Sequence, residues 1–530
     1  MRVAVDQLRI FAVVATGVVL FVLGLVSGTA GVTIITHGLN GEVDHWVTGM
    51  ATNIPAYARF PGTNSSGYTM AFVPAGGGGF ILGAARTSGV TATNSDSGEI
   101  IIKLDWSDLA DGDSYNTYQV AAAVVPALLN TNFISELGGH ALVEFPIHFV
   151  GHSRGGSLLC EVTRLLGTNG VWLDHLTSLD PHPLNAPGFP WDGGFDAEDA
   201  PMATYENVLF HDNYWQNSDF FVFGQAVAGA YVRKLTSNSG GYSGIGGAHS
   251  DVHLWYHGTI NTNTPVNDTE ATIAAPQRTN WWVGYETQGA RAGFAYSLIG
   301  GADRTSMDQP LGGGFEMIRD GYNQWWDLGA GVANNRTALP ANNGNWPNLI
   351  KFNRATTNQV MQGQGMPVTF YYQWAQPDAS LATISIYLDD DLNPLNTNQT
   401  LLAEIPVPGN GATAVSYSTT NLTLTPSNAT VGFHAVLAQI TGGGRTRYLY
   451  APELVEVIAP VTPPTLDIVR LNATQFIIGV NGQPEQTVIL QASTNLVTWT
   501  PIATNTLVTG RWDFTNSPPP GMSFYRGALP

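Results

Sequence analysis

The feature that most constrains this chain is Ile147-His148-Phe149-Val150-Gly151-His152-Ser153-Arg154-Gly155-Gly156, an apolar run passing through Gly-x-Ser-x-Gly into a helical segment. Strand, sharp turn and helix in that order belong to a parallel α/β sheet, where each strand hands the chain to a helix at its carboxyl end. Gly151 and Gly155 let the backbone close tightly, and Ser153 is lifted clear of the sheet at the apex. In a chain with 60 glycines the pentapeptide alone is weak evidence. The strand before it and the helix after it carry the reading.

That context extends from residue 31 to about 345. Buried-type apolar runs at Val32 to Thr36, Tyr68 to Val73, Phe80 to Ala85, Glu99 to Leu104, Pro146 to Val150, Leu176 to Leu179 and Val208 to His211 read as strands. Tyr115 to Leu129 and Ser157 to Leu166 read as helices, and the pairs Trp281-Trp282 and Trp325-Trp326 close the region. Over 346–458 the helical period gives way to short alternating strands, among them Val368 to Trp374, Thr383 to Leu388 and Val431 to Ile440, as in a β-sandwich. Ala459-Pro460-Val461-Thr462-Pro463-Pro464 reads as a stiff linker, and 465–530 as a small C-terminal β module suited to attachment or stability. The expected fold is α/β with a mostly parallel sheet, followed by two all-β modules.

The 530 residues are enough for a large core, and 21 basic against 40 acidic residues give a formal charge of -19. A polyanionic partner, nucleic acid above all, is thereby disfavoured. Arg2 and Arg9 before the apolar run Ile10 to Val26, with small residues at Gly28 and Ala30, read as a secretory signal peptide over 1–30 and imply a secreted protein. An uncleaved anchor is the alternative. Cys160 is the single cysteine, so no internal disulfide forms, and its place in the helix after the serine suggests burial.

A serine hydroxyl becomes a nucleophile only when an imidazole takes its proton, and that imidazole needs a carboxylate to hold its tautomer. Asp180, ending Leu176-Thr177-Ser178-Leu179 and followed by Pro181, is the preferred carboxylate, with Asp212 after Val208 to His211 as competitor. His249, after the glycines Gly246-Gly247, is the preferred base, and we place it in a mobile loop; His253 and His257 stand at helical spacing beyond it. Those two lack the glutamate of a His-Glu-x-x-His zinc site, so packing is their expected role. Val32-Thr33-Ile34-Ile35-Thr36 opening into His37-Gly38-Leu39 supplies the loop of an oxyanion hole, with the Leu39 and Arg154 N–H groups as donors. His37 reads as a loop anchor and His152 as loop packing.

Residues 32–260 resemble the α/β-hydrolase lipases, particularly the pancreatic and lipoprotein lipase group. The likeness rests on His37-Gly38-Leu39, Ile102-Lys103-Leu104-Asp105-Trp106, the Gly151–Gly155 turn, Leu179-Asp180-Pro181 and the His249 segment, in that order. It implies carboxylic-ester hydrolysis through an acyl-enzyme on Ser153, with a small-molecule or lipid ester as substrate. The chain departs from the group in lacking cysteines for a closed lid, for which Asn185 to Asp199 is an uncrosslinked substitute, and in the Gly-rich hairpin at Pro74 to Phe80. A serine amidase or peptidase on the same fold is one alternative, and a non-catalytic cell-surface binding protein, attached through the β modules, is another. No cofactor is expected. Asp389, Asp391 and Asn393 offer alternate oxygens for a structural calcium, but the glycine and glutamate of an EF-hand loop are missing, and a solvated hairpin turn is the preferred reading.

Overall fold

A computed structural model describes residues 31–530 except 58–64, 76–78, 96–97, 190–191, 219–220, 236–246, 262–292, 300–315, 318–335, 341–345, 355–357, 412–417, 453, 519–520 and 522. The expected signal peptide and the two Trp pairs lie outside the described residues, in which no helix is long and apolar enough to cross a membrane. The chain divides into two units, 1–360 with 364–457, and 361–363 with 458–530.

In the first unit the β-branched runs form a nine-stranded sheet: β1 (Val32–Thr36), β2 (Ser66–Ala75), β3 (Gly79–Gly89), β4 (Ile100–Asp105), β5 (Ile147–His152), β6 (Leu173–Leu179), β7 (Val208–Trp215), β8 (Tyr231–Lys234) and β9 (Glu316–Met317). Its order is β3-β2-β4-β1-β5-β6-β7-β8-β9. The run from β2 to β8 is parallel throughout, and β3 and β9 pair antiparallel at the two ends. Every residue of β1, β5 and β6 is buried, as in strands covered on both faces, and the polar ones in β5 and β6 are buried with the rest.

Among the described residues, four α-helices cover this sheet: α1 (Trp46–Tyr57), α2 (Thr117–Leu129), α3 (Arg154–Thr168) and α4 (Gly247–Ile260). A capping box starts α2, where the Asn116 side chain accepts from the Gln119 amide and the Gln119 side chain accepts from the Asn116 amide. Its apolar face, with Val120, Val124 and Leu128, joins Leu158, Leu159 and Val162 of α3 in one core with Ile34, Ile102 and Phe149. Trp46, Val47, Met50 and Ile54 of α1 meet Val252, Trp255 and Tyr256 of α4 in a second core with Ile35, Val150 and Leu179. Helix α1 was not expected, and β7 runs on to Trp215 rather than stopping at His211.

The described residues of 346–360 and 364–457 fold as two facing sheets, one built on Asn348–Arg354, Met366–Gln373 and Ser418–Leu424. The other includes Leu381–Asp389, Gln399–Pro408, Gly432–Gly442 and Arg445–Tyr450. Val436, Ala438 and Ile440 fill the core between them, whereas Ala435, Leu437, Tyr448 and Tyr450 belong to the same core as Phe149 and Leu158. One sheet is therefore buried on both faces, and the sandwich docks on the α/β part. Buried Arg447 fixes the junction by donating from Nη1 and Nη2 to the Trp172 carbonyl, both at 3.1 Å.

The Asp389–Asn393 turn belongs to this junction, which corrects its reading as a solvated hairpin. Asn393 is fully buried, and its Nδ2 donates to the Ala92 and Ser95 carbonyls at 2.9 and 2.7 Å. Asp389 accepts from the Tyr450 hydroxyl, and Asp391 Oδ2 accepts from Asn396 and Asn398 at 2.7 and 2.9 Å. The oxygens considered for calcium are thus engaged in shaping the turn.

The second unit pairs Thr465–Arg470, Phe476–Asn481 and Arg511–Asn516 in one sheet, and Thr500–Leu507, Gln486–Ser493 and Phe524–Ala528 in another. Its core is small, centred on Ile478, Val480, Val488, Leu490 and Leu507.

Candidate active site

Because β1, β5 and β6 are adjacent and parallel, the loops at their carboxyl ends meet at one rim of the sheet. They carry His37-Gly38-Leu39, Ser153 and Asp180 respectively.

Ser153 stands between β5 and α3 at φ 57° and ψ -127°, a conformation outside the comfortable range of an L-residue. Its amide donates to the Leu179 carbonyl at 2.9 Å, tying the turn to the neighbouring strand. The flanking glycines are required by space. A Cβ on Gly155 would lie 2.2 Å from the His37 carbonyl oxygen, and one on Gly151 would lie 2.5 Å from the Gly155 carbonyl oxygen. Gly38 is equally constrained, since its Cβ would sit 2.5 Å from Ser153 Cβ and 2.9 Å from Oγ. The His37-Gly38-Leu39 loop therefore lies directly against the serine.

That loop is held from beneath. The His37 ring stacks on Trp106, its Nδ1 donates to the Gly38 carbonyl at 3.0 Å, and Nε2 faces the Trp106 amide at 3.3 Å. Trp106 Nε1 donates to the His37 carbonyl at 3.2 Å. The His37 ring also approaches Asp105 at 3.6 Å and holds that carboxyl down, at about 2. His37 thus occupies an anchoring position.

Asp180 is fully buried and takes a positive φ of 40°. Its Oδ1 accepts from the amides of Gln216 and Gly224 at 2.8 and 3.0 Å, and its Oδ2 from Gln216 Nε2 at 2.8 Å. The same Oδ2 lies 2.6 Å from His249 Nδ1. Burial pushes the Asp180 carboxyl up, to about 8, against the pull of the Gln216 and Gly224 donors. With Nδ1 turned to Asp180, His249 Nε2 is the ring nitrogen left to exchange a proton with a neighbour.

His249 lies in the first turn of α4 rather than in a mobile loop, so the expected loop is corrected to a helix N-terminus. The His152 ring lies 4.4 Å from the His249 ring, and its Nε2 donates to the His249 carbonyl at 3.0 Å. His253 stacks on Trp46 at 4.4 Å, and His257 is hydrogen-bonded to Asn53 of α1. Both seat α4 on α1, outside the serine's cavity. Asp212 is not brought to His249. It sits inside β7, accepting from Thr177 at 2.6 Å and Tyr214 at 2.8 Å and pairing with His175 at 2.8 Å.

Ser153 and His249 line one cavity of about 240 Å³, with Leu39, Leu184, Phe195, Phe221, Val222, His182 and Asp192. Two supporting residues had escaped the sequence reading. Gln216 donates twice to Asp180, and Asp199 forms a fully buried ion pair with Arg154, at 2.7 Å from Nε and 2.9 Å from Nη2. Asp199 also accepts from the Thr117 and Leu184 amides at 2.9 and 3.0 Å, so the Asn185 to Asp199 segment is fastened at its end. The polar residue inside the Gly-x-Ser-x-Gly turn was the available hint, because an arginine facing a buried sheet rim needs a carboxylate. Cys160 is buried on α3 with its Sγ 3.9 Å from Met202 Sδ, and burial pushes its thiol up to about 12.

No family model matches this chain, and no curated protein does. Among solved structures, it is similar over 20% of its length to a superoxide reductase (neelaredoxin) from Ignicoccus hospitalis, covering 80% of that chain at 15% identity and TM-score 0.14. It is similar to a red sea bream transglutaminase at 11% identity, over 34% of this chain and 27% of that one, with TM-score 0.16. An E. coli alpha-2-macroglobulin matches at 13% identity over 36% of this chain and 15% of that one, with TM-score 0.17. Likenesses of this size carry no argument about fold or chemistry.

Proposed function

We propose that this chain is an exported serine hydrolase of the α/β-hydrolase fold that cleaves carboxylic esters through an acyl-enzyme. The observation that carries the reading is the 2.6 Å contact between Asp180 Oδ2 and His249 Nδ1, with His249 and Ser153 lining one cavity. In this mechanism His249 Nε2 takes the Ser153 hydroxyl proton as Oγ attacks the ester carbonyl carbon. The Leu39 and Arg154 N–H groups receive the carbonyl oxygen as it becomes an oxyanion. Arg154 begins α3, and a first-turn amide has no partner within its own helix. Collapse of the tetrahedral adduct breaks the bond to the alcohol oxygen, which takes the proton from His249. Water then attacks the acyl-enzyme by the same route and releases the acid.

Ser153→Ala is expected to lower kcat on p-nitrophenyl esters by roughly 10³-fold or more while the protein keeps its fold by circular dichroism. Undiminished turnover in that variant would place the chemistry elsewhere. Matched esters and amides separate esterase from amidase or peptidase, and a faster amide would displace the ester reading.

A further inference from the structure

Glu99 stands just ahead of β4, at the rim where the parallel strands begin and away from Ser153, and it is 1% exposed. Its Oε1 accepts from the Thr33 hydroxyl at 2.9 Å, and its Oε2 accepts from the Gly31 nitrogen at 2.7 Å. Gly31 directly follows the small residues Gly28 and Ala30, where the sequence places the end of the signal peptide. The nitrogen facing Glu99 is therefore an amide before cleavage and a terminal amine after it.

Gly31 is fixed in this position. Its carbonyl accepts from the Ile100 amide at 2.9 Å, and the next amide, that of Val32, donates to the Pro146 carbonyl at 2.8 Å. A Cβ on residue 31 would lie 2.8 Å from that same Pro146 oxygen, so glycine alone brings the chain so close. Beside it lies a cavity of about 10 Å³, bordered by Glu99, Asp174, His148 and Ser297 and large enough for about one water. Two carboxylates at one small polar cavity suit a cation, and a separation of 2.7 Å is one that an ammonium and a carboxylate adopt. With Gly31 in peptide linkage, burial raises the Glu99 carboxyl to about 8 and keeps its proton on at neutral pH. An ammonium at the same distance favours the carboxylate instead.

We infer that hydrolysis of the Ala30–Gly31 bond on export leaves an α-ammonium on Gly31 that forms a buried ion pair with Glu99 and ties the start of β1 to the start of β4. The inference rests on the export part of the proposed reading and goes beyond it by giving the cleavage a role in the folded protein. An export peptidase supplies the step. Water gives its hydroxyl to the Ala30 carbonyl carbon and a proton to the Gly31 nitrogen as the C–N bond breaks, and the proton of the new Ala30 carboxyl makes that amine an ammonium. Removing one member of such a pair strands the other away from water.

The test begins with the chain recovered from the exported fraction, whose first residue is read by intact mass and N-terminal sequencing and is expected to be Gly31. A second form keeps Ala30 ahead of Gly31, as the uncleaved chain does. Acetylation by an N-hydroxysuccinimide ester at pH 7 is expected to modify the Gly31 amine of the folded protein at least about ten-fold more slowly than the same amine in urea, or than the Ala30 amine of the second form. Glu99→Gln is expected to lower the Tm of the form starting at Gly31 by roughly 2 °C or more, and that of the second form by less, since a neutral amide still accepts from a peptide N–H. A different first residue, a Gly31 amine as reactive folded as unfolded, or equal Tm losses in the two forms overturns the ion pair while leaving export standing. A chain that keeps Met1 removes the export reading and this inference with it, and ester turnover by Ser153 is judged separately by its fluorophosphonate adduct.

Discussion

Gly38 is where a single atom matters most. Its hydrogen lies where a Cβ would meet Ser153 Cβ at 2.5 Å, so Gly38→Ala must displace either the serine or the loop that carries Leu39. Misplacement by about 1 Å at a reacting group costs roughly 10²-fold. Gly38→Ala is accordingly expected to lower kcat by about that factor with little loss of Tm, since the clash is confined to the rim; unchanged kcat would remove Leu39 from the oxyanion site. Asp180 was legible from its position after a buried strand and before a proline. Its supporting donors were not, because Gln216 and Gly224 follow β7 and reach Asp180 only through the parallel pairing of β7 with β6, which no local pattern records.

At the scale of elements, the strand-turn-helix unit of β5 and α3 was readable because burial on both faces writes a continuous apolar run. The ends of elements were harder. Gly246 and Gly247 suggested a loop at His249, yet a glycine is also tolerated at a helix start, and α4 begins at Gly247. Asp212 looked terminal because charge usually ends a strand, but Thr177, Tyr214 and His175 satisfy it within β7. The Arg154–Asp199 pair links α3 to the loop that carries Asp192. Asp199→Asn leaves a buried guanidinium without its counter-charge, a loss of about 3–5 kcal/mol. Urea unfolding should show it as a lower midpoint with unchanged slope. A change below about 1 kcal/mol would mean that the pair contributes little to holding the loop.

Across the whole molecule, buried carboxyls set the response to pH. In the uncleaved chain, burial raises Glu99 from 4.5 to about 8 and Asp389 from 3.8 to about 7. A carboxyl raised on folding holds a proton that the unfolded chain has already released, so its contribution is complete at low pH and is lost as pH rises toward the folded value. His211, pushed down to about 3 by burial, acts oppositely, but only below its ordinary value of 6.5. Between about pH 6.5 and 8 the carboxyls therefore act alone among these groups, and Tm is expected to fall across that interval. Glu99→Gln, which keeps the Gly31 and Thr33 contacts within reach of a neutral amide, should flatten the slope. A Tm that rises over the interval, or an unaltered slope in Glu99→Gln, would contradict the assignment. The strands of the sheet were visible as apolar runs, but their order was not, because β1 pairs between β4 and β5 rather than beside β2. The docking of the sandwich was not, because Ala435 and Leu437 alternate with Val436 and Ala438, and nothing local marks both faces as buried.

The central claim is that Ser153 is made nucleophilic by His249, and the most direct measurement is the rate and position of covalent labelling by a fluorophosphonate, read by peptide mass spectrometry. The account predicts a single adduct on the peptide bearing Ser153, forming at least about 10²-fold more slowly in His249→Ala. No adduct, an adduct on another residue, or an equal rate without the imidazole would contradict it.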